Sequence, residues 1–202
     1  MNPKLAAVKL AMSVGGMLDE TQIDFLYDLA EQAPDGSACE VGVWKGRSFV
    51  GWAQARKGRG PLIAVDWWYQ DQAVTEALDT EHPGKSPAQI GNERKTSFIA
   101  TLAALGLADN TRVIQALSWD APKQIDTPLA FCFIDACHDK HAIQKDTAAW
   151  PPIIMPGGII AYHDYGTWKC PAIKTCVDNW QAAAQWEPLG VVGSTIAFRR
   201  PL

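Results

Sequence analysis

The chain has 202 residues, a formal net charge of −4 and 48% hydrophobic residues. That length suits one domain over residues 1–202, with a core that needs no disulfide or structural metal, and 20% charged residues is a globular composition, not a disordered one. The acidic balance offers no broad basic face, so neither nucleic acid nor an anionic membrane is expected as a partner.

Five cysteines, Cys39, Cys132, Cys137, Cys170 and Cys176, include no CxxC pair. An odd number in a chain this large predicts a reduced, cytoplasmic protein without a zinc ribbon. Lys9 interrupts the apolar stretch Leu5 to Leu18, and no small-residue cleavage site stands out, so no signal peptide is expected. No run approaches the ~20 apolar residues of a membrane span.

In chain order, residues 1–35 form an N-terminal helical cap, with Ile23, Leu26, Tyr27 and Ala30 at helical spacing and Thr21 as the predicted N-cap. Pro34-Asp35-Gly36 then breaks the chain. Residues 38–43 (ACEVGV) are a buried-strand candidate, and a helix runs from Gly46 to about Ala55. Leu62–Asp66 is a second apolar strand. A helix is predicted from Glu93 to Leu105, strands at Arg112–Gln115 and Leu129–Asp135, and a helix from His141 to Trp150. A fifth strand spans Gly157–Asp164, and a helix Ala172–Ala184. Apolar strands alternating with helices indicate a parallel sheet covered on both faces. Leu189–Val192 and Thr195–Phe198 flank Gly193-Ser194, a two-residue hairpin signal, so the sheet should finish on an antiparallel pair. The intervening segment 67–92 is long for a connection and reads as a lid, an oligomer contact (making the protein a homo-oligomer) or a surface loop.

Ligands of open α/β sheets bind beyond the carboxyl ends of the strands. Here those ends carry Glu40, Asp66, Asp135, and His163 with Asp164. In the first strand–helix turn, Gly42 would let a ligand approach the backbone and Gly46 would fit the tight turn. Their GxxxG spacing also suits a packing pair, and it is not the GxGxxG of dinucleotide-binding enzymes, which disfavours a nicotinamide-dependent oxidoreductase. Asp66, 24 residues after Gly42, is placed to accept hydrogen bonds from ribose hydroxyls, or to end its strand in solvent.

The run E-V-G-x-x-x-G-x-S, the acid at Asp66, F-I-D-A-C-H at 133–138, Asp146, and P-G-G-I-I-A-Y-H-D-Y at 156–165 resemble class I S-adenosylmethionine-dependent methyltransferases. The branch they resemble is that of small bacterial catechol-type and macrolide-sugar O-methyltransferases. The resemblance implies a Rossmann-like α/β fold: a seven-stranded sheet of order 3-2-1-4-5-7-6, its last strand antiparallel. It implies S-adenosylmethionine as cofactor, with Glu40, Gly42, Gly46 and Ser48 around the methionine part, Asp66 on the ribose, Trp67, Ser118 and Trp119 near the adenine, and Asp135 alongside. It further implies a divalent cation, magnesium or manganese, on Asp135, His163 and Asp164. Relatives usually carry an acid where this chain has His163; a nitrogen ligand there favours a transition metal over magnesium, the alternatives being a site of two carboxylates with His163 pointing away and a hydrogen-bonded His–Asp pair with no metal. His138 stands where catechol-type relatives have a lysine base. A neutral histidine there suits proton removal near pH 7, and a helix-start residue is the other reading. The catalytic set is then His138, Asp135 and Asp164. The function implied is O-methylation of a small hydroxylated acceptor. The alternatives are a metal-independent N-methyltransferase and a non-catalytic module that only binds the cofactor.

Overall fold

A computed structural model of the chain describes residues 2–68 and 84–202. Chain order gives α1 (Pro3–Met12), α2 (Glu20–Gln32), β1 (Ser37–Val41), α3 (Arg47–Ala53), β2 (Leu62–Asp66), α4 (Pro87–Ala104), β3 (Thr111–Gln115), β4 (Leu129–Ile134), α5 (Lys140–Ala149), β5 (Ile154–Tyr162), α6 (Pro171–Ala184), β6 (Glu187–Val192) and β7 (Thr195–Arg199). The strands make one seven-stranded sheet of order β3-β2-β1-β4-β5-β7-β6. Strands β1 to β5 are parallel, while β7 runs antiparallel to both β5 and β6.

Side chains alternate across each strand, and the alternation sorts the core into two layers. Ala38, Ala64, Phe131, Phe133, Ile159 and Ala197 face α1, α2, α3 and α4. Their neighbours Cys39, Ile63, Cys132, Ile134, Ile160 and Phe198 face α5 and α6. The four apolar positions foreseen for α2, Ile23, Leu26, Tyr27 and Ala30, are all buried. No helix among the described residues is long and apolar enough to cross a membrane.

Three local expectations need correction. The cap of α2 is Asp19, not Thr21: Asp19 accepts from the Gln22 N–H, and the Gln22 side chain returns to the Asp19 N–H, the reciprocal pattern of a capping box. Thr21 instead donates its hydroxyl to Asp19 Oδ1. Helix α4 begins at Pro87, six residues before the predicted Glu93, because Ser86 and Gln89 form a second capping box and Pro87 takes the first turn, where its missing N–H costs nothing. The foreseen 67–92 loop is therefore helical in its last turns, and its middle, 69–83, lies outside the described residues.

The sheet ends are fixed by backbone contact. Gly42 has φ +90°, and a Cβ there would stand 1.9 Å from the Asp135 carbonyl oxygen. Gly58 has φ +75° with nothing within 4 Å of the same added atom. Gly58→Ala should cost about 1 kcal/mol, the ordinary left-handed penalty. Gly42→Ala should cost roughly 3 kcal/mol or more, because strain and backbone displacement add. Urea midpoints of the two variants check this, and equal losses would show that the β1–β4 contact yields easily.

Candidate active site

The turn after β1 is built by hydrogen bonds from its backbone. Gly42 N–H donates to Val65 O at 2.8 Å and Asp135 N–H donates to Val41 O at 2.8 Å, so the ends of β1, β2 and β4 are drawn together. Trp44, at φ +45°, then donates its N–H to Asp66 Oδ2 at 2.7 Å, and Trp68 N–H donates to Asp66 Oδ1 at 2.6 Å. Burial raises the Asp66 pKa, and these two N–H groups oppose the rise. Each oxygen keeps a further lone pair, so Asp66 can still accept from a ligand hydroxyl. Gly46, at φ +92°, starts α3 with its open side against the Phe98 ring. Sequence reading gave Gly42 the task of admitting a ligand. The Asp135 carbonyl stands where a Cβ at position 42 would be, so Gly42 serves the strand junction, and it also lines the pocket above the turn.

Glu40 lies below this turn and is fully buried. Ser48 Oγ donates to its Oε1 at 2.6 Å and Trp52 Nε1 donates to its Oε2 at 2.5 Å. Burial pushes its pKa up to about 8 against the pull of these two donors. Its carboxyl group braces α3 against β1, and both of its oxygens are engaged inside the protein.

Above the turn a pocket opens between Gly16 and Leu18 on one side and Gly42, Gly46, Ser48 and Asp135 on the other. Arg47 holds its roof in place, donating from Nε to Val14 O at 2.8 Å and from a terminal nitrogen to Leu18 O at 2.9 Å. The segment before α2 thus closes over the glycine turn.

Beside the pocket four titratable side chains meet. His163 Nδ1 is 3.1 Å from Asp135 Oδ1 and 3.4 Å from Asp164 Oδ2. His138 Nε2 is 2.9 Å from Asp164 Oδ2 and 3.9 Å from Asp135 Oδ1. Burial works to lower the His163 pKa, but the two carboxylates overcome it and raise it to about 10. Asp135 and Asp164 together raise His138 to about 10 as well. The histidines in turn hold Asp164 well below the carboxylate range. The expectation of a neutral His138 at pH 7 is corrected for this arrangement: the carboxylates keep it protonated.

The far nitrogen of His163 is also held. Gln22 Nε2 stands 3.1 Å from His163 Nε2, and Ser194 Oγ is 3.2 Å away. A protonated ring donates from Nδ1 to Asp135 and from Nε2 to Ser194, while a neutral ring accepts from Gln22 at Nε2. In both states Nδ1 carries a proton and faces the carboxylates. Gln22 and Ser194 were missed in the sequence. The D-x-x-Q capping box beginning at Asp19 and the turn residue of the Gly193-Ser194 hairpin were the available signals.

Backbone strain gathers at the same edge. Of the four non-glycine residues with positive φ among those described, Trp44, Trp68 and Asp164 flank this site. Two expected cofactor contacts have other partners. Ser118 donates its hydroxyl to Asp146 Oδ2 at 2.9 Å, and Lys145 lies over the Trp119 ring at 4.3 Å. Burial pushes Asp146 up to about 7. Trp67 is half-buried, and its indole nitrogen has no hydrogen-bond partner among the described residues.

Residues 39–165 match the family described as a methyltransferase domain. The O-methyltransferase NovP superposes with a TM-score of 0.70 at 17% identity, over 93% of this chain and 82% of its own. The O-methyltransferase TomG of Streptomyces achromogenes, solved with S-adenosylmethionine, gives 0.65 at 17% identity over 99% of this chain and 90% of its own. An O-methyltransferase of Bacillus cereus, solved with S-adenosylhomocysteine, gives 0.64 at 17% identity over 99% and 91%.

The buried Glu40 carries a stability signature. With its folded pKa raised to about 8 from 4.5, the stability it contributes is complete below the unfolded value and is lost as pH rises through 8. Glu40→Gln cannot titrate, and it disturbs one of two donors at a cost of about 1–3 kcal/mol. Its stability deficit relative to wild type should therefore shrink between pH 5 and 8.5 in urea titrations. A deficit independent of pH would place the Glu40 pKa near its ordinary value.

Proposed function

The chain belongs to the methyltransferase-domain family, and from that premise we propose that it moves the methyl group of S-adenosylmethionine to an oxygen of a small hydroxylated acceptor, in the cytoplasm, with a divalent cation on Asp135, His163 and Asp164. The observation that carries this reading is the double position of Asp135. It lines the glycine-turn pocket and stands 3.1 Å from His163, so the cofactor site and the acid–base cluster share one residue.

In this reading Gly42, Gly46 and Ser48 border the methionine part of the cofactor, and Asp66 accepts the ribose hydroxyls. Trp67, Ser118 and Trp119 lie on the side of the adenine. The acceptor oxygen attacks the methyl carbon in line. The O–CH3 bond forms as the S–CH3 bond breaks, and S-adenosylhomocysteine leaves with the electron pair. The protein supplies chiefly position and exclusion of water.

The donor set fits a cation. Asp135, His163 and Asp164 offer two oxygens and one nitrogen within 4.8 Å of one another. Nδ1 of His163 faces the two carboxylates, and it could ligate an ion only in the tautomer whose Nε2–H donates to Ser194 Oγ, with the Nδ1 proton released. When bound, a divalent ion would polarise the acceptor hydroxyl and offset the carboxylate charge that keeps His138 protonated. His138, at the mouth of the cluster, is the side chain that would take the acceptor's proton in its neutral form.

Three outcomes follow. S-adenosylhomocysteine should raise Tm, with about 2.7 kcal/mol of stabilisation at 100 times Kd, and Asp66→Ala should weaken that shift. Chelation should stop methyl transfer while leaving most of the shift, with manganese or magnesium restoring turnover. His138→Ala should lower kcat by about 10²–10⁴-fold with the shift retained. Full turnover in excess chelator would reduce Asp135, His163 and Asp164 to a network of protein groups alone.

A further inference from the structure

The acid–base cluster does not end at His163. Among the described residues, two triads of ligating side chains share Asp164: Asp135 with His163, and His138 with Cys170. The second has a different chemistry. It presents an imidazole nitrogen, a carboxylate oxygen and a sulfur, all within 4.8 Å of one another. His138 Nε2 and Asp164 Oδ2 are 2.9 Å apart.

We propose that His138, Asp164 and Cys170 form a separate site for a zinc-class divalent ion, set beside the oxygen-rich triad and joined to it through Asp164.

The donors select the ion. A hard cation such as magnesium takes oxygens and keeps its waters, whereas a sulfur beside an imidazole favours zinc, cobalt or cadmium. A tetrahedral ion with bonds of about 2.0–2.3 Å holds its ligand atoms about 3.4 Å apart. The widest separation here must close by at most about 1.4 Å, within the reach of rotations of an exposed histidine and a half-buried cysteine. Three protein ligands leave the fourth position to water, the pattern of open rather than structural zinc sites. Binding releases the Cys170 thiol proton and any proton on His138 to solvent.

Of the other cysteines, Cys39, Cys132 and Cys176 are buried and Cys137 is exposed, and none of them belongs to either triad. The consequence is regulatory. An ion here ties up His138 and Asp164, the side chains on which proton removal depends. Micromolar zinc would therefore oppose turnover while magnesium or manganese supports it.

Cobalt titration of the reduced full-length protein tests the site without any activity measurement, so its failure is separate from failure of the proposed reaction. One equivalent of cobalt should give a thiolate-to-metal absorption band, bleached by zinc and not by excess magnesium. Cys170→Ser should abolish the band, while Cys137→Ser and Asp135→Asn should keep it. His138→Ala should weaken cobalt binding by about 100-fold, since even an outer partner of a ligand is worth roughly 10- to 100-fold. Absence of the band in wild type, its survival in Cys170→Ser, or its loss in Cys137→Ser would overturn the proposal.

Discussion

The carbonyl oxygen of Asp135 occupies the volume that a side chain at position 42 would fill. That contact decides the geometry of everything at the carboxyl edge of the sheet. β1 leads through β2 to β3 on one side, and β4 leads to β5 on the other, so the connections leaving the paired strands β1 and β4 run in opposite directions, where an open α/β sheet makes its crevice. Glycine at 42 lets the two strand ends touch. The turn that follows can then lie next to the Asp135 side chain, and the pocket and the His–Asp cluster become one site.

Three acids meet around that junction. Glu40 is fully buried, and Asp66 and Asp135 point into the same edge. Each is handled differently. Glu40 has two side-chain donors and still rises to about 8. Asp66 is fed by two backbone N–H groups. For Asp135 burial works upward, but His138 and His163 bring it below its ordinary value. The difference is electrostatic. A carboxyl group satisfied by hydroxyl and indole is a brace, while one facing two histidines remains charged and available to a ligand.

The sheet was legible because its strands are short apolar runs that stop at polar residues, and β2 matches its predicted span Leu62–Asp66 to the residue. The terminal hairpin was legible because Gly193, at φ +56°, supplies the conformation that a two-residue turn needs. The start of α4 was obscured because Gly91 and Asn92 weaken the helical pattern, although Ser86 and Gln89 carry the capping signal. In the site, the strand ends brought Asp135, His163 and Asp164 to one edge, and the family resemblance added His138. The protonation of His138 followed from neither, since it depends on a 2.9 Å approach to Asp164 that comes from another strand. Gln22 lies 141 residues from His163 in the chain, a distance over which no local pattern can speak.

The central claim is that cofactor and acid–base chemistry meet at Asp135. A crystal structure with S-adenosylhomocysteine tests it most directly. The account predicts the homocysteine part in the pocket bordered by Gly42, Gly46 and Ser48, the ribose hydroxyls on Asp66, and the sulfur facing the side of Asp135 where His138 and His163 stand. A ligand whose sulfur points away from that cluster, or one that leaves Asp66 untouched, would contradict it.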